Sequence, residues 1–250
     1  MPALVGGVLG LLLIAGFVLV FLKPIAPMPE PGVTPPSDAG QPPTWAPPID
    51  PPVAASTPGV GNPGLVDAAW ADETAAATGI PRRALLAYAG TAIAKAQAMP
   101  ECALSWTTLA GVGATESDHG RFGGSAVGPD GTVNPPIFGI ALDGGETANV
   151  PDSDGGALDG DATIDRAVGP MQLIPQTWRN WHTDGGGDGV EDPQNIEDAV
   201  AAAANYLCRS SIDMDTEAGW RAAIGAYNSS NTYLSTVAGF ARSYNEAVAG

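Results

Sequence analysis

The chain has 250 residues and carries 10 Lys and Arg against 27 Asp and Glu, a formal charge of −17. Nucleic-acid binding needs a basic footprint to displace counterions, and a chain this acidic has none, so that class is excluded. The 33 glycines and 24 prolines are unevenly spread: 14 of the prolines fall in 24–64, which leaves 65–250 as one domain long enough to bury a core.

Residues 3–22 are uncharged and almost wholly apolar, and Lys23 closes the run. At about 1.5 Å per residue such a helix spans roughly 30 Å, the hydrocarbon thickness of a bilayer. A cleaved signal peptide is the alternative, but its apolar part is usually about 7–15 residues and ends in a small-x-small site. Here the run is longer and is followed by Lys23-Pro24. The expectation is a transmembrane anchor over 1–23, or a signal peptide, with no lipoprotein anchor because the segment has no Cys. Residues 24–64, with Pro35-Pro36, Pro42-Pro43, Pro47-Pro48 and Pro51-Pro52, read as a disordered Pro-rich linker with polyproline II character.

From residue 65 the apolar period is helical. A helix over 65–77 is expected to stop at Gly79, and Pro81 suits the first turn of a second helix through Met99. In a third, Cys102 to Thr115, the residues Cys102, Trp106, Leu109, Gly113 and Glu116 recur at three- and four-residue steps and share a face. Residues 117–170 are rich in Gly and Asp, lack a helical period, and read as a long structured loop or short β-hairpin. Helices resume at 175–182, 195–209, 217–227 and 231–248, with Pro175 and Pro193 near starts and Asn231 as an N-cap. The fold class expected is mainly α, with one long Gly/Asp-rich insertion.

Cys102 and Cys208 are the two cysteines of the chain. Beyond an export segment a minimal even count reads as one disulfide, the alternative being two buried thiols. A disulfide would place the domain outside the cytoplasm.

The candidate chemistry centres on Glu116. An apolar helix arrives at this carboxylate and then breaks at Gly120. A Glu at a helix C-terminus faces the negative end of the macrodipole, and burial of the helix face would add desolvation; both favour the protonated acid. A carboxyl held protonated near neutral pH is what a general acid requires, whereas an ordinary solvated helix-end Glu would do nothing. Two further stretches stand out: Gly169-Pro170-Met171-Gln172, a rigid turn just before a helix, and Ala226-Tyr227-Asn228 at a helix end.

Taken in order, Glu116-Ser117 with His119-Gly120, Gly169 to Gln172 with Pro175 and Trp178, the Asp192-Pro193 to Cys208 segment, and Ala226-Tyr227-Asn228 resemble the lytic murein transglycosylases, most closely the membrane-bound B-type branch of actinobacteria. The resemblance covers about 100–248. It implies a mainly helical, lysozyme-like fold and cleavage of the β-1,4 bond between N-acetylmuramic acid and N-acetylglucosamine in peptidoglycan. It implies Glu116 as a single catalytic acid/base, with Ser117 positioning the carboxyl or substrate. Met171 and Gln172 would line the sugar cleft, and Tyr227 and Asn228 would stand beside the glutamate. Asp118, Asp143 and Asp165 are candidate second carboxylates for a hydrolase. A lysozyme-type muramidase and a non-catalytic cell-wall-binding module therefore stand as alternatives.

The resemblance also implies glycan strands as the partner. The apolar segment, the spacer and the expected disulfide independently place the domain outside the membrane and facing the wall, in a single-pass membrane protein or, if the N-terminus is cleaved, a secreted one; a monomer with no required cofactor is expected. In Asp184-Gly-Gly-Gly-Asp188-Gly189, carboxylates and glycine fall as at the start of a calcium loop, and Asp184, Asp188 and Asp192 are candidate Ca2+ ligands. Gly186 and Asn195 replace two expected ligands there. The run Asp152, Asp154, Asp159 and Asp161 reads as a solvated turn or a weak cation site. His119 and His182, the two histidines, read as loop or surface residues, and Trp106, Trp178, Trp181 and Trp220 mostly as core.

Overall fold

The structure, a computed structural model, describes residues 43–145 and 147–249. Seven helices form its body: α1 (Ala68–Thr78), α2 (Arg82–Ala98), α3 (Trp106–Ser117), α4 (Pro175–Trp181), α5 (Ile196–Ser210), α6 (Glu217–Tyr227) and α7 (Asn231–Ala249). Their starts follow their caps. The side chains of Asp67, Ser105, Asn195 and Thr216 each accept a hydrogen bond from a backbone N–H in the turn they open, at 2.9–3.2 Å. The caps also correct two expected starts. The first helix begins at Ala68 rather than 65 because Asp67 caps it. The third begins at Trp106 because Pro100–Cys102 is a single 3-10 turn, Ala103 is left-handed and Ser105 caps.

α3 is the centre of the core. Every residue from Trp106 to Gly113 is buried, with α2, α5 and α7 packed around it. The alanines of α5, Ala199 and Ala201–Ala204, allow close approach on that side. Trp220 of α6 is 1% exposed and satisfies its indole N–H on Thr108 Oγ1 at 3.0 Å, so a polar tip inside the core has a partner. A disulfide joins Cys102, just before α3, to Cys208 in the last turn of α5.

Between α3 and α4 the chain makes two small antiparallel pairs. β1 (Ala126–Val127) pairs with β2 (Val133–Asn134), with Ala126 opposite Asn134. β3 (Phe138–Ala141) pairs with β4 (Arg166–Val168), with Phe138 opposite Val168. The excursion between β3 and β4 is folded by its aspartates. Asp152 accepts from Gly155 and Gly156 N–H, Asp154 from Ala157 and Leu158, and Asp161 from Thr163. Carboxylate-to-backbone bonds of this kind hold turns where no helical or strand period exists, which accounts for the Asp-rich composition of the insertion.

The N-terminal boundary needs correction. Residues 43–64, expected within the disordered linker, pack on the helical body. Ala46 is 2% exposed, Arg221 donates to the Thr44 carbonyl, and Asn245 donates to the Pro47 carbonyl. Ala54 bridges Val66, and Asn62 donates through its backbone to Gly185 and through its side chain to Thr91. Proline fixes the backbone of this stretch in extended form, which lets it lie along helices as readily as project from them. The domain therefore extends back at least to Pro43. Among the described residues no helix is long and apolar enough to cross a membrane; the anchor expected at 1–23, and the linker up to residue 42, lie outside them.

Candidate active site

α3 ends abruptly after Glu116-Ser117. Asp118 and His119 are both left-handed, with φ of 50° and 58°, and their N–H groups return to the carbonyls of Ala114 and Gly113 at 3.1 and 3.0 Å. This reversal leaves Glu116 in the last turn, at the edge of the core. Its Oε1 accepts a hydrogen bond from Tyr233 Oη at 2.5 Å. Burial raises the Glu116 carboxyl from its usual acidic range to about 7, although the Tyr233 bond pulls the other way. Glu116 still keeps a partly open surface. Burial also raises the phenols of Tyr227 and Tyr233 well above their usual value, with Glu116 the next cause for both.

The contacts around Glu116 close into a ring. The Tyr233 ring stacks on Tyr227, with centroids 6.4 Å apart and planes at 6°. Tyr227 Oη donates to the Met171 carbonyl at 2.6 Å. One residue earlier, the Pro170 carbonyl accepts from Ser117 Oγ at 2.6 Å, and Ser117 follows Glu116. Ser117 Oγ also accepts the Gly120 N–H at 2.8 Å, so the one hydroxyl ties the end of α3 both to its own turn and to the 169–172 turn. Gly169, at φ 73°, allows that turn to pass another chain segment: a β-carbon there would stand 1.7 Å from the Pro193 carbonyl oxygen.

Glu116, Ser117, Met171, Gln172 and Tyr227 are thus brought together, though not all in the expected roles. Met171 is fully buried, so its side chain belongs to the core and its contribution to the ring is its carbonyl. Gln172 is left-handed, at φ 47°, and its amide donates to Gly169 O at 2.9 Å while the residue stays half-buried. Asn228 closes α6 and accepts the Ser230 N–H, outside the ring. Tyr233, which sequence reasoning passed over, is the group that touches the carboxyl. Its place in the first turn of α7 gives no signal in the sequence of a contact with the end of α3. From Tyr227 the aromatic contacts continue to Tyr206 at 5.8 Å and on to Trp181 at 6.4 Å, all half-buried.

Asp118, Asp143 and Asp165, the candidate second carboxylates, each have partners of their own. Asp118 pairs with Arg121 at 2.6 Å, Asp143 accepts Gly145 N–H, and fully buried Asp165 accepts both N–H and Oγ of Ser153. In the 184–192 loop the carboxylates face backbone. Asp184 accepts from Gly187, Asp188 and Gly189, Asp188 from Val190, and Asp192 from Gln194. Among the described residues, the carboxylates that gather within 4.8 Å of one another are Asp152, Asp154 and Asp165 rather than those of this loop. The two histidines also separate. His182 is exposed beside Glu191 at 2.5 Å, while His119, expected on a loop or surface, is 3% exposed.

Residues 160–227 match the family model described as Transglycosylase SLT domain. The matched stretch contains the 169–172 turn, α4, α5 and α6 through Tyr227, and begins after Glu116. It supports a transglycosylase-type, lysozyme-like relationship and, in general terms, an enzyme that cleaves glycosidic bonds of peptidoglycan. No curated protein and no solved structure matches the chain.

Proposed function

We propose that the protein is a peptidoglycan lytic transglycosylase in which Glu116 is the single general acid and base. The observation that carries this reading is a carboxyl raised to about 7 by burial and gripped by a phenol, inside a closed ring of contacts. Protonated Glu116 gives its proton to the bridging oxygen as the bond from the muramoyl C1 to that oxygen breaks. The carbonyl oxygen of the substrate's own N-acetyl group bonds C1 in its place. Glu116, now a carboxylate, takes the proton of the C6 hydroxyl, O6 bonds C1, and the N-acetyl oxygen is released. The product is a 1,6-anhydromuramoyl end, and the acid is restored. The reaction needs neither a water nucleophile nor a cofactor. The engagement of Asp118, Asp143 and Asp165 elsewhere favours it over a two-carboxylate hydrolysis. The disulfide supports an oxidising, extracytoplasmic setting between membrane and wall, with the 1–23 segment as anchor.

The test is mass spectrometry of the muropeptides released from purified peptidoglycan by the full chain and by Glu116→Gln. Anhydro ends that vanish in the variant are expected. Reducing ends that vanish would mean a muramidase, and no release by either protein would mean a wall-binding module.

A further inference from the structure

His119 stands three residues beyond Glu116. Its Nδ1 lies 3.0 Å from Tyr88 Oη and its Nε2 3.0 Å from Tyr244 Oη. A neutral imidazole has one donor and one acceptor nitrogen, so it donates to one phenol and accepts from the other, and both of its polar atoms are satisfied. Burial, and next the positive charge of Arg121, push the ring down to about 3, so it stays neutral through the working range. The groups around it are Tyr88 from α2, Tyr244 from α7, and Asp118 and Arg121 from its own turn, which pair with each other at 2.6 Å.

Two observations separate this histidine from an ordinary buried one. The first is the backbone. Asp118 and His119 are consecutive non-glycine residues with positive φ, a conformation that side chains with a β-carbon adopt at a cost and that persists where the surroundings impose it. The second is what the bridge holds. Tyr88 lies so close to α3 that a β-carbon at Gly113 would meet its hydroxyl at 2.0 Å, and the Gly113 carbonyl accepts the His119 N–H. On the other side α7 grips the same turn twice, through Tyr233 on Glu116 and through Tyr244 on His119, at points roughly 16 Å apart along the helix at about 1.5 Å per residue. The turn that presents the carboxyl is thereby fixed to both neighbouring helices.

We propose that His119 is a positioning residue for Glu116: the Tyr88–His119–Tyr244 bridge locks the last turn of α3 against α2 and α7 and so sets where the carboxyl stands relative to Tyr233. The inference rests on the reading of Glu116 as the acid. The His119 ring is bonded to Tyr88 and Tyr244 and acts on the carboxyl through the turn.

Tyr244→Phe in the full chain removes one oxygen from the bridge and keeps the ring. His119→Phe removes both hydrogen bonds, and His119→Gln restores a donor and an acceptor. Displacing a catalytic group by about 1 Å costs about 100-fold in rate, so Tyr244→Phe is expected to lower kcat by roughly 10-fold and His119→Phe by roughly 100-fold, with KM within about twofold. His119→Gln should recover part of the loss. Carbon-13 NMR of labelled Glu side chains reads the Glu116 titration directly, and its midpoint should shift in Tyr244→Phe. If the wild type releases nothing from peptidoglycan, the enzyme reading fails, and the NMR shift still decides the role of His119. A folded Tyr244→Phe with unchanged kcat and an unchanged Glu116 midpoint would overturn the proposal, whatever its melting temperature. Should His119→Phe not fold, Tyr244→Phe alone decides.

Discussion

Tyr233 donates a hydrogen bond to Glu116 across 2.5 Å and so joins the first turn of α7 to the last turn of α3. Two effects meet at that oxygen. Burial keeps the proton on, and the phenol stabilises the charged form; burial wins and leaves the carboxyl at about 7. An acid balanced in this way can give a proton and take one back within a single cycle.

That balance makes the pH profile a test of Tyr233. Reaction begins from protonated Glu116, so the rate should be half-maximal near pH 7 and fall above it. Tyr233→Phe removes the bond that lowers the carboxyl pKa, so the alkaline limb should move to higher pH. A hydrogen bond to a charged group contributes about 1.5–3 kcal/mol, and losing it should reduce kcat roughly 10- to 100-fold where both proteins are fully protonated. Steady-state rates from pH 5 to 9 check both effects, and a limb that moves down would contradict the assignment.

Glu116 should also be a measurable cost to folding. Its carboxyl titrates at 4.5 when free and at about 7 in the fold. Below the lower value both states are protonated and nothing is lost. As pH rises between the two, the unfolded chain gives up the proton that the folded chain keeps, so stability falls and then levels off above about 7. At about 1.36 kcal/mol per pH unit the loss is roughly 3 kcal/mol at most, and partial solvent contact reduces it. Glu116→Gln has no such proton and can still accept from Tyr233. Its urea midpoint should match wild type near pH 4.5 and exceed it at pH 8. Equal midpoints at both pH values would mean that the carboxyl is not held in its neutral form.

Much of this was legible in the sequence. The helical period and the caps placed all seven helices to within a few residues, and Glu116 stood out because an apolar face ended on a carboxylate. Tyr233 was not legible. An aromatic in a first helical turn has no meaning until the crossing of α7 over α3 brings it to the carboxyl. Met171 was misjudged for a related reason, since a motif shows that a residue matters but not whether its side chain or its carbonyl does the work. The docking of 43–64 was hidden by composition, because proline favours the same extended backbone in a free tether and in a strap laid on helices.

The disulfide offers a third test. It links Cys102 to Cys208 across a sequence separation of 106 residues. On the chain-entropy account a loop of this length contributes about 4–5 kcal/mol, an upper figure. Cys102→Ala/Cys208→Ala should lower the denaturant midpoint, with a loss approaching but not exceeding that figure. Wild type under reducing conditions should behave in the same way. A midpoint unchanged by reduction would show that the two sulfurs are not bonded in the folded protein.

The ion pair between Arg83 of α2 and Glu197 of α5 gives a last test, of how the helices around α3 are held. Arg83 lies 2.7 Å from Glu197, whose side chain is 5% exposed, and donates also to the Pro129 carbonyl in the loop between β1 and β2. Burial raises the Glu197 carboxyl above its usual range, and Arg83 opposes that shift. Arg83→Met therefore strands a buried carboxylate, and breaking such a pair from one side costs about 3–5 kcal/mol. The arginine here is one-third exposed, which places the expected loss at the lower end. Glu197→Leu in the same chain should recover most of it, because the cost lies in the unpaired charge rather than in missing attraction. The loss in the single variant should also shrink at low pH, where Glu197 takes up a proton. Thermal midpoints of the two single variants and the double variant at pH 5 and 8 close this cycle. Additive losses would show that the two side chains do not depend on each other.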